Sequence, residues 1–131
     1  MQCIVVTPER TVYEQTAEFV AVSLYDGEIG IAEGHAPMIG RLGCGEMRIR
    51  RETQEIDRYY VEGGFVEVLG DVVSVLTQKA IPEAELDPAV ALEQLRAAQS
   101  RRATTPEAAV ARDLAAAQSR AKLRVAGHTV A

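Results

Sequence analysis

The chain of 131 residues is 47% hydrophobic and 25% charged, enough for one core or a smaller core with a satellite element. Its net charge of -5 is uneven: residues 1–82 carry 13 acidic and 7 basic side chains (-6), and the remainder 6 acidic and 7 basic (+1). Neither part has the basic footprint of a nucleic-acid binder, and two cysteines, Cys3 and Cys44, in no metal-ligand spacing argue against a disulfide scaffold and suit a reducing compartment. With no charged leader before an apolar segment and no apolar run of about 18 residues, neither a secretory signal nor a membrane span is expected.

In chain order, short β runs are predicted at Cys3–Thr7, broken by Pro8, at Val12–Gln15 and at Phe19–Leu24. The acidic turn Tyr25-Asp26-Gly27-Glu28 leads into the apolar Ile29-Gly30-Ile31. Gly34-His35-Ala36-Pro37 reads as a fixed loop, because the residue before a proline is pushed away from the α region. Met38–Leu42 is another short strand and Gly43-Cys44-Gly45 punctuates. Glu46–Arg51 sets Met47 and Ile49 against Glu46, Arg48 and Arg50, the alternation of a strand with one wet face. Glu55–Glu62 follows, and Gly63-Gly64 allows a tight turn or a close backbone approach that a Cβ would block.

Phe65–Leu69 and Val72–Thr77 are joined by Gly70-Asp71, with glycine first as a type II′ hairpin prefers. In the last run Val73, Val75 and Thr77 share one face and Val72, Ser74 and Leu76 the other. Apolar residues on both faces predict a central strand that is well covered. Roughly eight to ten short strands with no βαβ rhythm indicate a sandwich or flattened barrel.

After Pro82 the composition turns to alanine, glutamine, arginine and leucine. Asp87-Pro88 is a helix start, with aspartate as cap and proline at the first helical position. This helix is expected to reach about Arg102 with Ala91, Leu92, Leu95 and Ala98 on one side. A second starts at Thr104 or Thr105, since Thr104 with Glu107 has capping-box spacing and Thr105 precedes Pro106. Its stripe is Val110, Leu114, Ala117, Ala121 and Val125, and Gly127 is a natural stop, leaving His128 in the tail. Such an alanine-lined antiparallel hairpin buries little area, so it depends on docking against its own sandwich or a partner.

Catalytic signatures are sparse. The glycines from Gly27 to Gly45 match neither GxGxxG nor GxxxxGK[ST] and read as turn glycines. His35 with Asp26, Glu28 and Glu33 is a conceivable single site, against the simpler reading of a histidine that ties down its own loop. Cys3 and Cys44 read as small buried hydrophobes. No metal site and no independent enzyme is expected.

Taken together, Asp26-Gly27-Glu28-Ile29-Gly30-Ile31, Gly34-His35-Ala36-Pro37-Met38, Leu42 with Gly43, Gly45 and Met47, and Val61-Glu62-Gly63-Gly64-Phe65-Val66-Glu67-Val68 running into Val72–Ala80 resemble the epsilon subunit of the rotary F-type ATP synthase. The resemblance covers nearly the whole chain. It implies a flattened β-sandwich of about ten strands over residues 1–84 and an antiparallel two-helix hairpin over residues 85–131. It also implies a non-catalytic, cofactor-free rotor subunit of the central stalk that couples proton translocation to ATP synthesis. Its partners would be the gamma subunit, the c-subunit ring and, transiently, the alpha/beta hexamer. The address would be peripheral, on the cytoplasmic face of a bacterial plasma membrane, as part of the F1 sector and without membrane insertion.

Carried over by position, Asp26, Gly27 and Glu28 form the loop facing the c ring, and Gly34, His35 and Pro37 a structural loop. Gly63, Gly64 and Phe65 lie in the sandwich core or on its gamma-facing surface. The hairpin is the regulatory part implied by the resemblance, able to extend and restrain ATP hydrolysis. Arg112, Arg120 and Arg124 are then candidates for meeting acidic surfaces of the hexamer. Some members bind ATP through Asp-x-x-Arg-Ala; here Asp87 and Ala91 match, but Val90 replaces the arginine and offers no donor. Asp87, Arg96 and Arg101 remain as weak nucleotide-site candidates, with Arg102 beside them. Two other classes stay open from the residues alone: an acidic sandwich acting as a binding module, and a small enzyme built on His35.

Overall fold

The computed structural model describes residues 1–127, so the expectation for His128 lies outside the described residues. Ten strands form two five-stranded sheets. The first contains β1 (Gln2–Val6), β2 (Thr11–Thr16), β5 (Met38–Arg41), β8 (Phe65–Leu69) and β9 (Val72–Leu76), in the order β2-β1-β9-β8-β5. The second contains β3 (Phe19–Leu24), β4 (Gly27–Ala32), β6 (Cys44–Arg50), β7 (Ile56–Glu62) and β10 (Ala80–Pro82), in the order β10-β7-β6-β3-β4. Pairing is antiparallel except between β1 and β9, which run parallel with Gln2 opposite Val72 and Val6 opposite Leu76.

The period-two pattern explains the core. Cys3 and Val5 of β1, Val73 and Val75 of β9, and Val66 and Val68 of β8 point inward from the first sheet. Val20, Val22, Ile31, Met47, Ile49 and Val61 meet them from the second. Gly70 at φ +60, with no positive φ at Asp71, makes the two-residue β8–β9 turn that glycine first predicts.

Several expectations need correcting. β9 is central in its sheet, but only Val73, Val75 and Thr77 are covered; Val72 and Leu76 face solvent. Cys44 and Gly45 are strand residues of β6 rather than punctuation. The acidic turn shortens to Tyr25-Asp26, because Gly27 already pairs with Leu24. β10 was not foreseen: it is three residues long and contains Pro82, tolerated because this is an edge strand.

A short 3-10 turn, Glu83–Glu85, leads to α1 (Pro88–Gln99) and α2 (Pro106–Val125). Asp87 caps α1 as expected, its Oδ1 accepting from the backbone N–H groups of Ala89 at 3.0 Å and Val90 at 3.4 Å. Thr105, not Thr104, caps α2, accepting from the Ala108 N–H at 3.1 Å. α1 stops short of Arg102 at Gln99, where the Ser100 hydroxyl donates to the Arg96 carbonyl at 2.6 Å. Ala91, Leu95 and Ala98 pack on Ala116 and Leu123, while Leu92 is exposed. The expected α2 stripe is half covered. Ala121 and Val125 lie on the second sheet, whereas Val110 (68% exposed) and Leu114 (53%) overhang into solvent.

Candidate functional site

The outer face of the first sheet gathers five of the exposed large apolar side chains among the described residues. Phe65 and Leu69 on β8 stand opposite Leu76 and Val72 on β9, and Ile39 on β5 stands beside Glu67. All five apolar side chains are exposed, and Ile4 and Val6 of β1 continue the face half-buried. Phe65, at 54% exposure, belongs to this surface and not to the core. The face ends in two clefts. One of about 410 Å³ lies along Pro37, Ile39, Glu67 and Leu69, and one of about 290 Å³ is lined by Val6, Pro8, Phe65 and Leu76. A contiguous apolar sheet face left to solvent marks an interaction surface. Sequence reasoning singled out Phe65 but missed Ile39, Leu69, Val72 and Leu76. For Val72 and Leu76 the signal is the apolar second face of the Val72–Thr77 run, which fits a covered strand equally well.

Gly63 and Gly64 hold the rim of that face. Both have positive φ, +69 and +95, and a Cβ on Gly64 would overlap the Leu76 carbonyl oxygen. Gly63 faces open space. The Gly63 N–H donates to the Gly43 carbonyl at 3.1 Å and the Leu42 N–H to the Gly64 carbonyl at 2.8 Å, so this turn ties the two sheets together.

Asp26, Gly27 and Glu28 sit at the same end of the sandwich, at the tip of the β3–β4 hairpin. Glu28 is not a free carboxylate. Its Oε1 accepts from Arg48 Nη2 at 2.6 Å, and Arg48 Nη1 donates to Glu46 Oε1 at 2.7 Å. Glu46 and Glu28 together raise the proton affinity of the Arg48 guanidinium further, Glu46 contributing more. Arg58 links Glu46 at 3.9 Å to Glu83 at 4.0 Å, which extends a charge ladder from the tip to the root of the hairpin. The Arg41 guanidinium lies 5.5 Å from the ring centroid of exposed Tyr25.

Gly34, His35 and Pro37 lie at the other end of β4, roughly 17–20 Å away for a strand of this length. A joint site of His35 with Asp26 and Glu28 is therefore not formed. The His35 ring Nδ1 is 2.7 Å from the Ala36 carbonyl, and the His35 backbone N–H donates to the Ala32 carbonyl at 3.1 Å, closing a turn with Gly34 at φ +84. Among the described residues, no three or more His, Cys, Asp or Glu side chains come together as a metal site would require.

On the hairpin, Asp87 caps the start of α1 and Arg96 lies in its last turn, with exposed Arg101 beyond. The helix separates Asp87 from both arginines by roughly 13 Å or more, at 1.5 Å per residue. Arg112 and Arg120 share a cleft of about 260 Å³ with Gln99 and Ala116, where Arg112 Nε donates to Asp113 Oδ1 at 3.1 Å. Arg124 lies apart from that cleft, exposed, with its charge felt at the Cys44 thiol. No helix among the described residues is long and apolar enough to cross a membrane.

Residues 1–83 match the family model described as ATP synthase, Delta/Epsilon chain, beta-sandwich domain. The chain is 46% identical over 124 residues to the ATP synthase epsilon chain of Rhodopirellula baltica, an alignment covering 95% of this chain and 96% of that one. It is 42% identical over 92 residues to the epsilon chain of Chromohalobacter salexigens, covering 70% of this chain and 65% of the other. Among solved structures, a chain of the Euglena gracilis mitochondrial ATP synthase superposes with a TM-score of 0.87 at 21% identity, covering 96% of this chain and 80% of that one. A chain from the central stalk and c ring of the Tetrahymena thermophila enzyme gives 0.69 at 15% identity, with 96% of each chain covered. At those identities the structural matches speak for the fold alone.

Proposed function

This chain belongs to the ATP synthase epsilon-chain family, a non-catalytic rotor subunit of the F-type central stalk, and from that premise we propose how its surfaces are used. The outer face of the first sheet binds the gamma subunit, and the single observation that carries this is the uncovered apolar set Ile39, Phe65, Leu69, Val72 and Leu76. The Asp26–Glu28 tip meets the c-subunit ring, consistent with its projection at one end of the sandwich. Coupling of proton translocation to ATP synthesis then runs through the rigid sandwich between these two contacts.

The hairpin, in this reading, is a movable brake on ATP hydrolysis. It rests on the second sheet by part of one helix, which supports release. Released, it brings Arg112, Arg120 and Arg124 to acidic surfaces of the alpha/beta hexamer. The assembled chain is peripheral, on the cytoplasmic face of a bacterial plasma membrane, in keeping with its bacterial relatives.

The test uses the cognate catalytic core with gamma. Leu69→Asp and Ile39→Asp should weaken binding about tenfold or more, roughly 1.4 kcal/mol or above, while Leu114→Asp on the hairpin leaves binding unchanged. Charge reversal at Arg112, Arg120 and Arg124 should bind normally and raise hydrolysis. Undiminished binding by both aspartate variants overturns the gamma face, and unchanged hydrolysis after charge reversal overturns the role of the arginines.

A further inference from the structure

The hairpin touches the sandwich through a small seat. Among the described residues, the C-terminal part of α2 lies over β6 and β7, where Ala121 and Val125 pack on Tyr60, with Cys44, Ile81 and Leu86 at the margins. The α1–α2 contacts are internal to the hairpin and travel with it, so they do not hold it down.

On the sandwich side the largest buried side chain of this cluster is an aromatic one. Tyr60, fully buried on β7, presents its ring to the helix, and Lys122 of α2 sets its Nζ 5.4 Å from the ring centroid. The Tyr60 hydroxyl donates to Glu62 Oε1 at 2.6 Å, and Lys79 approaches the other oxygen of that carboxylate at 4.0 Å. The ring is therefore fixed in place from behind, at the end of β7 where Glu62 also joins the Thr77–Lys79 segment. Apart from Tyr60, the seat offers a thiol and half-buried aliphatic groups.

We infer that the Tyr60 ring is the latch of the hairpin, the one contact whose loss frees α2 from the second sheet, with Lys122 as its cationic clasp. This rests on the reading of the hairpin as a movable part. The ring does the holding; the hydroxyl only orients it.

The full chain is compared with Tyr60→Ala, Tyr60→Phe, Lys122→Met and Ala121→Glu. Two readouts are taken: the maximum dimension in solution scattering and the alkylation rate of Cys44 by iodoacetamide, resolved by peptide mass. Cys3, whose thiol is pushed up to about 12 by burial, reports in the same samples that the sandwich stays folded. A swung-out helix of 20 residues is about 30 Å long. Tyr60→Ala and Ala121→Glu should thus lengthen the molecule by roughly 20–30 Å with Cys3 still protected. Lys122→Met should speed Cys44 alkylation about two- to fivefold, and Tyr60→Phe should stay within about twofold of the parent.

A compact Tyr60→Ala beside an open Ala121→Glu overturns the latch and leaves the movable hairpin standing. Equal opening by Tyr60→Phe and Lys122→Met also overturns it, by assigning the hold to the hydroxyl. If Ala121→Glu stays compact too, the movable-hairpin reading falls with the latch.

Discussion

At Gly64 two constraints coincide. The residue sits at φ +95, which L side chains rarely adopt, and the Leu76 carbonyl occupies the place of a Cβ. Gly63 has only the first constraint, with open space around it. Replacing Gly63 by alanine should therefore cost about 1–2 kcal/mol, and replacing Gly64 distinctly more, about 3 kcal/mol or above. Urea unfolding checks this: the Gly64→Ala midpoint should fall well below that of Gly63→Ala with the slope unchanged. Equal midpoints would refute the close approach. The Gly-Gly pair was legible in sequence as a tight turn or a close approach, but which glycine makes the approach depends on the Leu76 backbone, a partner twelve positions on. His35 was legible as a loop residue because proline restricts its neighbourhood, whereas its distance from Glu28 depended on β4 starting at Gly27.

Helix starts are local events, and at α1 the sequence carried one in full. Asp87 before Pro88 needs no tertiary information to act as a cap, whereas Thr104 and Thr105 were equal alternatives in the sequence and the Ala108 N–H decides for Thr105. Asp87→Ala should destabilise the hairpin by about 1 kcal/mol, read as faster hydrogen exchange in α1 while the amides of β6 and β9 keep their protection. Unchanged α1 exchange would show that the cap contributes nothing. The faces of longer elements were legible by period but not by extent. The α2 stripe from Val110 to Val125 is one face of a helix, and only the reach of the second sheet decides that Leu114 is left outside. β10 was invisible because three residues carry no period. The two-faced apolar pattern of β9 fits either a covered strand or a strand awaiting a partner, and among the described residues no element covers its outer face.

For the molecule as a whole, the two sheets are joined near one end by a polar tie. The Tyr13 hydroxyl of β2 donates to Asp57 Oδ2 of β7 at 2.9 Å, and its ring packs edge-on to Tyr59 at 6.0 Å. Burial first, then the bond to Asp57, raises the Tyr13 phenol above its ordinary value; burial first and then Glu62 does the same at Tyr60. The folded state thus holds these protons more tightly than the unfolded chain. Their contribution to stability is complete below the ordinary phenol value of about 10 and declines as pH rises above it. The thermal midpoint should fall between about pH 10 and 12, with phenolate absorbance short of full amplitude until the fold opens. Tyr13→Phe should flatten that fall, and an unchanged slope would remove Tyr13 from the account.

The parallel pairing of β1 with β9 also has a bearing on the order of events at the ribosome. Gln2 meets Val72 across seventy intervening bonds of the chain, so the first strand synthesised acquires its inner neighbour only after most of the sandwich has emerged. The second sheet, by contrast, has two pairs of sequence neighbours, β3 with β4 and β6 with β7, that can form as soon as each emerges. Closing a long loop before any contact rewards it slows folding and leaves strand edges open meanwhile. The nascent β1–β2 hairpin, with Cys3 and Val5 unburied, is then the segment that most needs protection from premature association.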